Sequence, residues 1–381
     1  MLRSTAAAAS FACAAMFATL PASAGTITVL HAFAGQPDGS SPTAELTAIG
    51  NKLYGTTLYG GTAGNGSVFS IEPGGKYKTI YSFTGNADGG LPMAPLVAIG
   101  KTLYGTTYIG GSGGQGVVFA LTLSGSEKVL HNFTSTPDGA LPQAGLLYDH
   151  GTLYGTTSGG GDSSCNGGSG CGIVFSITQD GAYTTLAKLS NDTGWYSTAG
   201  LVRYKNKFYG ATWNGGAAGA GTIFSITPRG KIKAVYNFTG GADGGSPDAT
   251  LIESNGVFYG TTLAGGPADI GTIFSVTPGG HETVLHGFTG GGDGAQPQSH
   301  LVLLKNTLYG TATDGGTVGA GTIFAQSLKG RFNATPLQGT NGAAPNAGLT
   351  LLNGALYGTT FSGGSSNCNG YGCGVVFQFK P

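Results

Sequence analysis

Short apolar runs separated by glycine-rich polar turns follow one another along the chain. Between Ala44 and Thr84 there are four: Leu46-Thr47-Ala48-Ile49, Leu53 to Leu58, Ser67-Val68-Phe69-Ser70-Ile71 and Thr79-Ile80-Tyr81-Ser82-Phe83. They are rich in β-branched and aromatic residues, as half-buried strands are. Gly50-Asn51, Gly60-Gly61 through Gly64-Asn65-Gly66, and Pro73-Gly74-Gly75 lie between them and supply the residues that turns need. No stretch beyond residue 24 sustains a 3.6-residue apolar period, so almost no helix is predicted.

The four-run pattern repeats. Leu53-Tyr54-Gly55-Thr56-Thr57 returns at Leu103, Leu153, Phe208, Phe258, Leu308 and Leu356, with successive tyrosines 50, 50, 55, 50, 50 and 48 residues apart. Seven units of four short antiparallel strands predict an all-β, seven-bladed β-propeller. The ends support closure. Thr28-Val29-Leu30-His31-Ala32-Phe33 matches the fourth strand of a unit, while the chain stops after Val375-Val376-Phe377-Gln378-Phe379, a third strand. Pairing the N-terminal strand with the C-terminal blade would satisfy both edges. In such a blade the first and third turns share one face of the disc; here they are short. The second loop and the blade-to-blade connection share the other face, are long and variable, and are where a site is expected.

Composition adds the compartment. Arg3, an apolar run from Ala7 to Leu20 and Ala22-Ser23-Ala24 predict a signal peptide over 1–24, leaving 25–381 as a single propeller domain, secreted to the periplasm or beyond. The run is short for a membrane span, and no membrane association of the mature form is expected. Outside that segment four cysteines form two close pairs, Cys165 with Cys171 and Cys368 with Cys373. Local disulfides are expected, since a four-thiolate metal site would need two distant blades to meet. No metal site and no cofactor are predicted. With 17 basic and 17 acidic residues the net charge is zero, which argues against nucleic acid as a partner and against capture of a strongly acidic polymer, a local patch aside. A monomer is expected.

The succession Leu-Tyr-Gly-Thr-Thr, Gly-Gly, Gly-Thr-Ile-Phe-Ser-Ile/Val-Thr-Pro (Gly221 to Pro228, Gly271 to Pro278) and Val-Leu-His-x-Phe resembles the GloVer tandem-repeat family of exported bacterial proteins, over essentially the whole mature chain. The resemblance implies a secreted bacterial protein with a propeller-like fold. It implies no shared catalytic residues. The chain ends at Lys380-Pro381 without a sorting tail, so release is expected.

Recurrent Asp-Gly pairs, at Asp38, Asp88, Asp138, Asp243 and Asp293, read first as turn caps rather than a ring of cation ligands. The fourth unit breaks the pattern. It reads Asn191-Asp192-Thr193-Gly194-Trp195-Tyr196-Ser197, carries Arg203 on its innermost strand and ends its second strand at Trp213-Asn214, so both tryptophans lie in it. Trp195, Tyr196, Trp213, Asn214, Asp192, Arg203 and Tyr148 are the candidate ligand residues, with Trp195, Trp213 and Arg203 expected in one open pocket. Indoles for stacking, with amide, carboxylate and guanidinium groups for hydroxyls, suit an extracellular polysaccharide or oligosaccharide. The opposing reading has Trp195 filling a gap and Arg203 paired to Glu253. Catalysis, as a polysaccharide lyase or glycoside hydrolase, would draw on Glu253, His300 and Asp192, with Asp162, Asp248, Asp269 and Asp314 as further loop-side carboxylates. A protein-interaction scaffold is the remaining alternative.

Overall fold

The computed structural model describes residues 25–364, 368 and 370–381; the expected signal peptide lies outside them. Seven four-stranded antiparallel sheets form seven blades. After the N-terminal strand β1 (Thr26–Ala32), blade 1 comprises β2 (Thr47–Ile49), β3 (Lys52–Thr57), β4 (Ser67–Ile71) and β5 (Tyr77–Ser82), from innermost to outermost. Blades 2 to 6 repeat this order. Blade 7 takes its three inner strands from the C-terminus and its outermost from β1, which pairs with Val375–Lys380 in a register running from Thr26↔Lys380 to Ala32↔Val375. The closure expected from the two incomplete ends is therefore observed. The one described helix is a 3-10 turn at Asn166–Gly168, and no described helix is long and apolar enough to cross a membrane.

Each part of the repeated motif has a packing role. Phe69 on β4 is fully buried, and its counterparts Phe119, Phe175, Phe224, Phe274, Phe324 and Phe377 are too. The phenyl ring lies against the glycine of the next strand inward: a Cβ on Gly55 would come within 2.6 Å of the Phe69 ring and 2.7 Å of Leu46. The motif tyrosine packs between blades, as at Tyr154 on Phe208 (4.3 Å between rings) and Tyr209 on Phe258 (4.4 Å). The last threonine ties the turn: Thr57 Oγ1 lies 2.8 Å from Ser67 Oγ and donates to the Tyr59 carbonyl at 2.9 Å.

Blades are latched at the loop-rich face by one recurring device. Ser41, Leu91, Leu141, Tyr196, Ser246, Gln296 and Ala344 occupy the same place before an innermost strand, and all have positive φ, from 51° to 61°. Their N–H groups donate to the preceding blade, as Ser41 to Cys373 (2.8 Å) and Leu91 to Asn65 (2.9 Å) do. Their carbonyls accept from the end of their own blade's second strand, Leu58 and Tyr108 being examples at 3.2 and 3.1 Å. Side chains are strained in this left-handed region, so the two hydrogen bonds hold each residue there.

The Asp-Gly loops are turn caps. Asp88 accepts from the Thr84 N–H (2.9 Å) and the Tyr81 hydroxyl (2.9 Å), and Asp293 from the Thr289 N–H (2.9 Å) and hydroxyl (2.8 Å). Cys165–Cys171 and Cys368–Cys373 form local disulfides, with Cα atoms 5.4 and 5.3 Å apart.

Candidate functional site at the mouth of the channel

On the approach to every innermost strand the chain bends once, and the residues on either side of the bend line the central channel. Thr43, Met93, Gln143, Thr198, Asp248, Gln298 and Asn346 are equivalent and form an outer ring. Two residues further on, Glu45, Pro95, Gly145, Gly200, Thr250, His300 and Gly348 form an inner ring. Together they line a cavity of about 460 Å³ at the loop-rich end of the channel, to which Trp213 adds its side chain.

Two features give this cavity its chemistry. His300 Nδ1 lies 2.7 Å from Glu45 Oε2. The pair joins blades 6 and 1 across blade 7, whose inner-ring residue is Gly348. A Cβ there would meet His300 Cβ at 3.0 Å and Glu45 Oε2 at 3.1 Å, so glycine leaves the room for the pair to form. His300 keeps 31 % of its side-chain surface open to the channel but sits deep among the blades. Desolvation opposes its charge, yet the charge of Glu45 and the hydrogen bond outweigh it, and its pKa lies above the ordinary value. Asp248, in the outer ring, accepts from the Thr198 hydroxyl. Burial raises its pKa, partly offset by that hydrogen bond.

Around the opening, Trp213 and Tyr196 meet edge to face with ring centres 5.5 Å apart. On Tyr108 of blade 2, burial, and secondarily the nearby Tyr196, raise the pKa. Trp213 of blade 4 thus shares the cavity with the acid and imidazole groups of Asp248, His300 and Glu45 from blades 5, 6 and 1. No lysine or arginine is among the described residues lining the cavity.

The residues expected to form one pocket are divided between two faces and a seam. Trp195 and Asn214 exchange backbone hydrogen bonds of 2.9 and 3.1 Å, which brings Trp195, Tyr196, Trp213 and Asn214 together on the loop-rich face. Trp195, however, packs against the Cys165–Cys171 cluster and does not line the cavity. Asp192 is exposed at a loop tip. Arg203 is at the opposite end of the channel, where the short turns are: its guanidinium pairs with Asp149 and donates from Nε to the Lys205 carbonyl at 3.1 Å. The single pocket of Trp195, Trp213 and Arg203 does not form, because strand direction puts Trp213 at the end of a second strand and Arg203 beside a first turn. Glu253 does not pair with Arg203; it caps its own turn by accepting from the Gly256 N–H at 2.7 Å. Tyr148 is also on an innermost strand, next to the Asp149 that holds Arg203, and is 40 % exposed. Of the three candidate catalytic residues, His300 alone lines the cavity.

Glu45, Asn346, Thr198, Gln143 and Tyr108 escaped the sequence reading. The available signal was the repeat itself: aligned on Tyr54, Glu45 takes the register of His300, and two ionisable residues in a ring otherwise made of proline, glycine and threonine stand out.

Among solved structures, a putative 6-phosphogluconolactonase from Bacteroides uniformis superposes with a TM-score of 0.52 at 15% identity, covering 81% of this chain and 89% of that one. An aldose sugar dehydrogenase from Streptomyces coelicolor, in its PQQ-bound form, gives 0.49 at 13% identity, covering 95% and 99%. At such identities the likeness is one of fold. No curated protein sequence matches the chain. A family model does, twice in tandem over residues 1–168 and 163–377, and with the seven repeats it places the chain in the Gloeobacter/Verrucomicrobia repeat family.

Proposed function

We propose that this propeller binds carbohydrate outside the cytoplasm, in the cavity at the loop-rich mouth of its channel, and that the ligand presents a neutral sugar there. The observation that carries the reading is the composition of the cavity wall: the indole of Trp213 on one side, hydroxyl, amide and carboxyl groups from the other blades, and no lysine or arginine. Sugar rings stack their apolar faces on aromatics while polar side chains take the hydroxyls. The two disulfides support export, since such bonds persist in oxidising compartments. A lyase acting on uronates gains no support, because the guanidinium it would use, Arg203, belongs to the other face.

Titrating the mature protein with neutral oligosaccharides while following tryptophan fluorescence tests this. Trp213→Ala should weaken binding about tenfold or more, equivalent to roughly 1.4 kcal/mol, and Trp195→Ala much less. Saccharide binding that survives Trp213→Ala unchanged would place the site elsewhere. Hydrolysis is a second reading, favoured by the raised pKa of Asp248, which suits a proton donor. New reducing ends that disappear in Asp248→Asn would establish it.

A further inference from the structure

Blade 4 carries a feature that the carbohydrate cavity does not use. Between residues 193 and 242 there is no aspartate or glutamate, while Arg203, Lys205, Lys207, Arg229, Lys231 and Lys233 lie in this stretch: six of the 17 basic residues of a chain with zero net charge. Topology gathers them. Arg203, Lys205 and Lys207 flank the turn between strands Val202–Tyr204 and Lys207–Thr212, and Arg229, Lys231 and Lys233 flank the turn between Thr222–Ile226 and Ile232–Asn237. Both turns are at the short-turn face, opposite the cavity.

Little neutralises them. Among the described residues Arg203 alone of the six has a carboxylate partner, Asp149. Lys205 lies over the Tyr204 ring at 5.1 Å. On blade 5, Glu253 is engaged by its own turn. By contrast Lys52, at the place of Lys207 in blade 1, is paired to Glu72 at 3.1 Å. The stems of Lys207, Lys231 and Lys233 line an open groove of about 410 Å³ over the buried Ser225 and beside Thr227, whose hydroxyl oxygen accepts from the Lys231 N–H at 3.1 Å.

We infer that this end of blade 4 docks an acidic polysaccharide, its carboxylates spaced along the chain meeting the ammonium groups of the three lysines and a hydroxyl meeting that of Thr227. Nucleic acid fits less well. The groove has no aromatic side chain on which a base could stack, and among the described residues the one helix is a three-residue 3-10 turn, too short to enter a major groove. The site is independent of the cavity at the other face. A chain without net charge thus holds an anionic polymer through local charge, and the attraction is screened by salt.

The test is binding of the full mature protein to polygalacturonate, with dextran and duplex DNA as comparison polymers, at low and at physiological ionic strength. The expected result is binding to polygalacturonate at low salt that weakens as salt rises, with no binding to dextran through this face. K207Q/K231Q/K233Q should lower that affinity about tenfold or more with an unchanged thermal midpoint, while K78Q/K101Q/K128Q, which removes the same charge from other blades, leaves it unchanged. Trp213→Ala should retain it, which separates this site from the cavity. The inference is overturned by absence of binding at low salt, by equal losses in the two triple variants, or by duplex DNA binding as tightly as polygalacturonate.

Discussion

Gly348 serves its neighbours rather than its own strand. It is the gap through which blades 6 and 1 reach each other, and a methyl group would press on both His300 and Glu45. Gly348→Ala should therefore lower the His300 pKa toward the ordinary imidazole range in an NMR titration; an unchanged titration would show that the pair does not depend on the gap. Glu45→Gln makes a sharper case. Desolvation then acts alone, and the His300 pKa should pass from above its ordinary value to below it. The linked stability has a definite sign. With Glu45 present the folded pKa is raised, so the contribution is complete below the unfolded value near 6.5 and is lost as pH rises through the folded one. Glu45→Gln should cost about 1.5 kcal/mol in acid and little in base. At the other extreme of packing, a Cβ on Gly105 would lie 2.7 Å from the Phe119 ring, so Gly105→Ala should destabilise by about 3 kcal/mol in denaturant titrations.

At the scale of the element, the outermost strands show a pairing rule between blades. Where one blade offers histidine, the next offers an aromatic ring: His31 stacks on Tyr77 at 4.0 Å, His131 on Tyr183 at 3.7 Å and His286 on Phe332 at 3.7 Å. Where it offers Tyr81 or Tyr236, the next offers Glu127 or Glu282, and Asp88 or Asp243 accepts the phenol. Burial and the nearby aspartate push both glutamates up to about 7. Burial lowers His131 and His286, against the pull of Asp138 and Asp293. The two kinds of seam respond to pH in opposite senses. A raised glutamate destabilises the fold as pH climbs from about 4.5 toward 7, and a lowered histidine does so as pH falls below about 6.5. Glu127→Gln with Glu282→Gln should raise the melting temperature at pH 8 and change it much less at pH 4.5, measured by calorimetry. A shift of equal size at both pH values would rule out ionisation as the cause.

For the whole molecule, local pattern was enough for the ring and insufficient for the site. The motif around Tyr54 and the matching ends at Thr28 and Phe379 express contacts that every blade repeats, so periodicity reveals them. The cavity is made where the seven copies differ. Whether Glu45 meets His300 depends on ring closure bringing blade 1 within reach of blade 6, a separation of 255 residues that no short-range spacing encodes. Arg203 was misplaced for a simpler reason: its position on an innermost strand indicates the channel but not which end. The basic end of blade 4 was hidden by averaging, because equal totals of charge conceal their distribution. Ring closure itself is open to test. Removing residues 25–33 would bare the edge of Val375–Lys380 and should leave the protein aggregated rather than folded in the soluble fraction.

The pairing of Thr26–Ala32 with Val375–Lys380 also sets a timetable. Thr26–Ala32 is synthesised before blades 1 to 6, yet it finds its partner only when Val375–Lys380 has been made. Until then it carries an unsatisfied edge, while blades 1 to 6 can each complete their own sheets from contiguous sequence. Completion of the circle thus waits for the synthesis of Val375–Lys380, and until that strand emerges Thr26–Ala32 stays unclaimed.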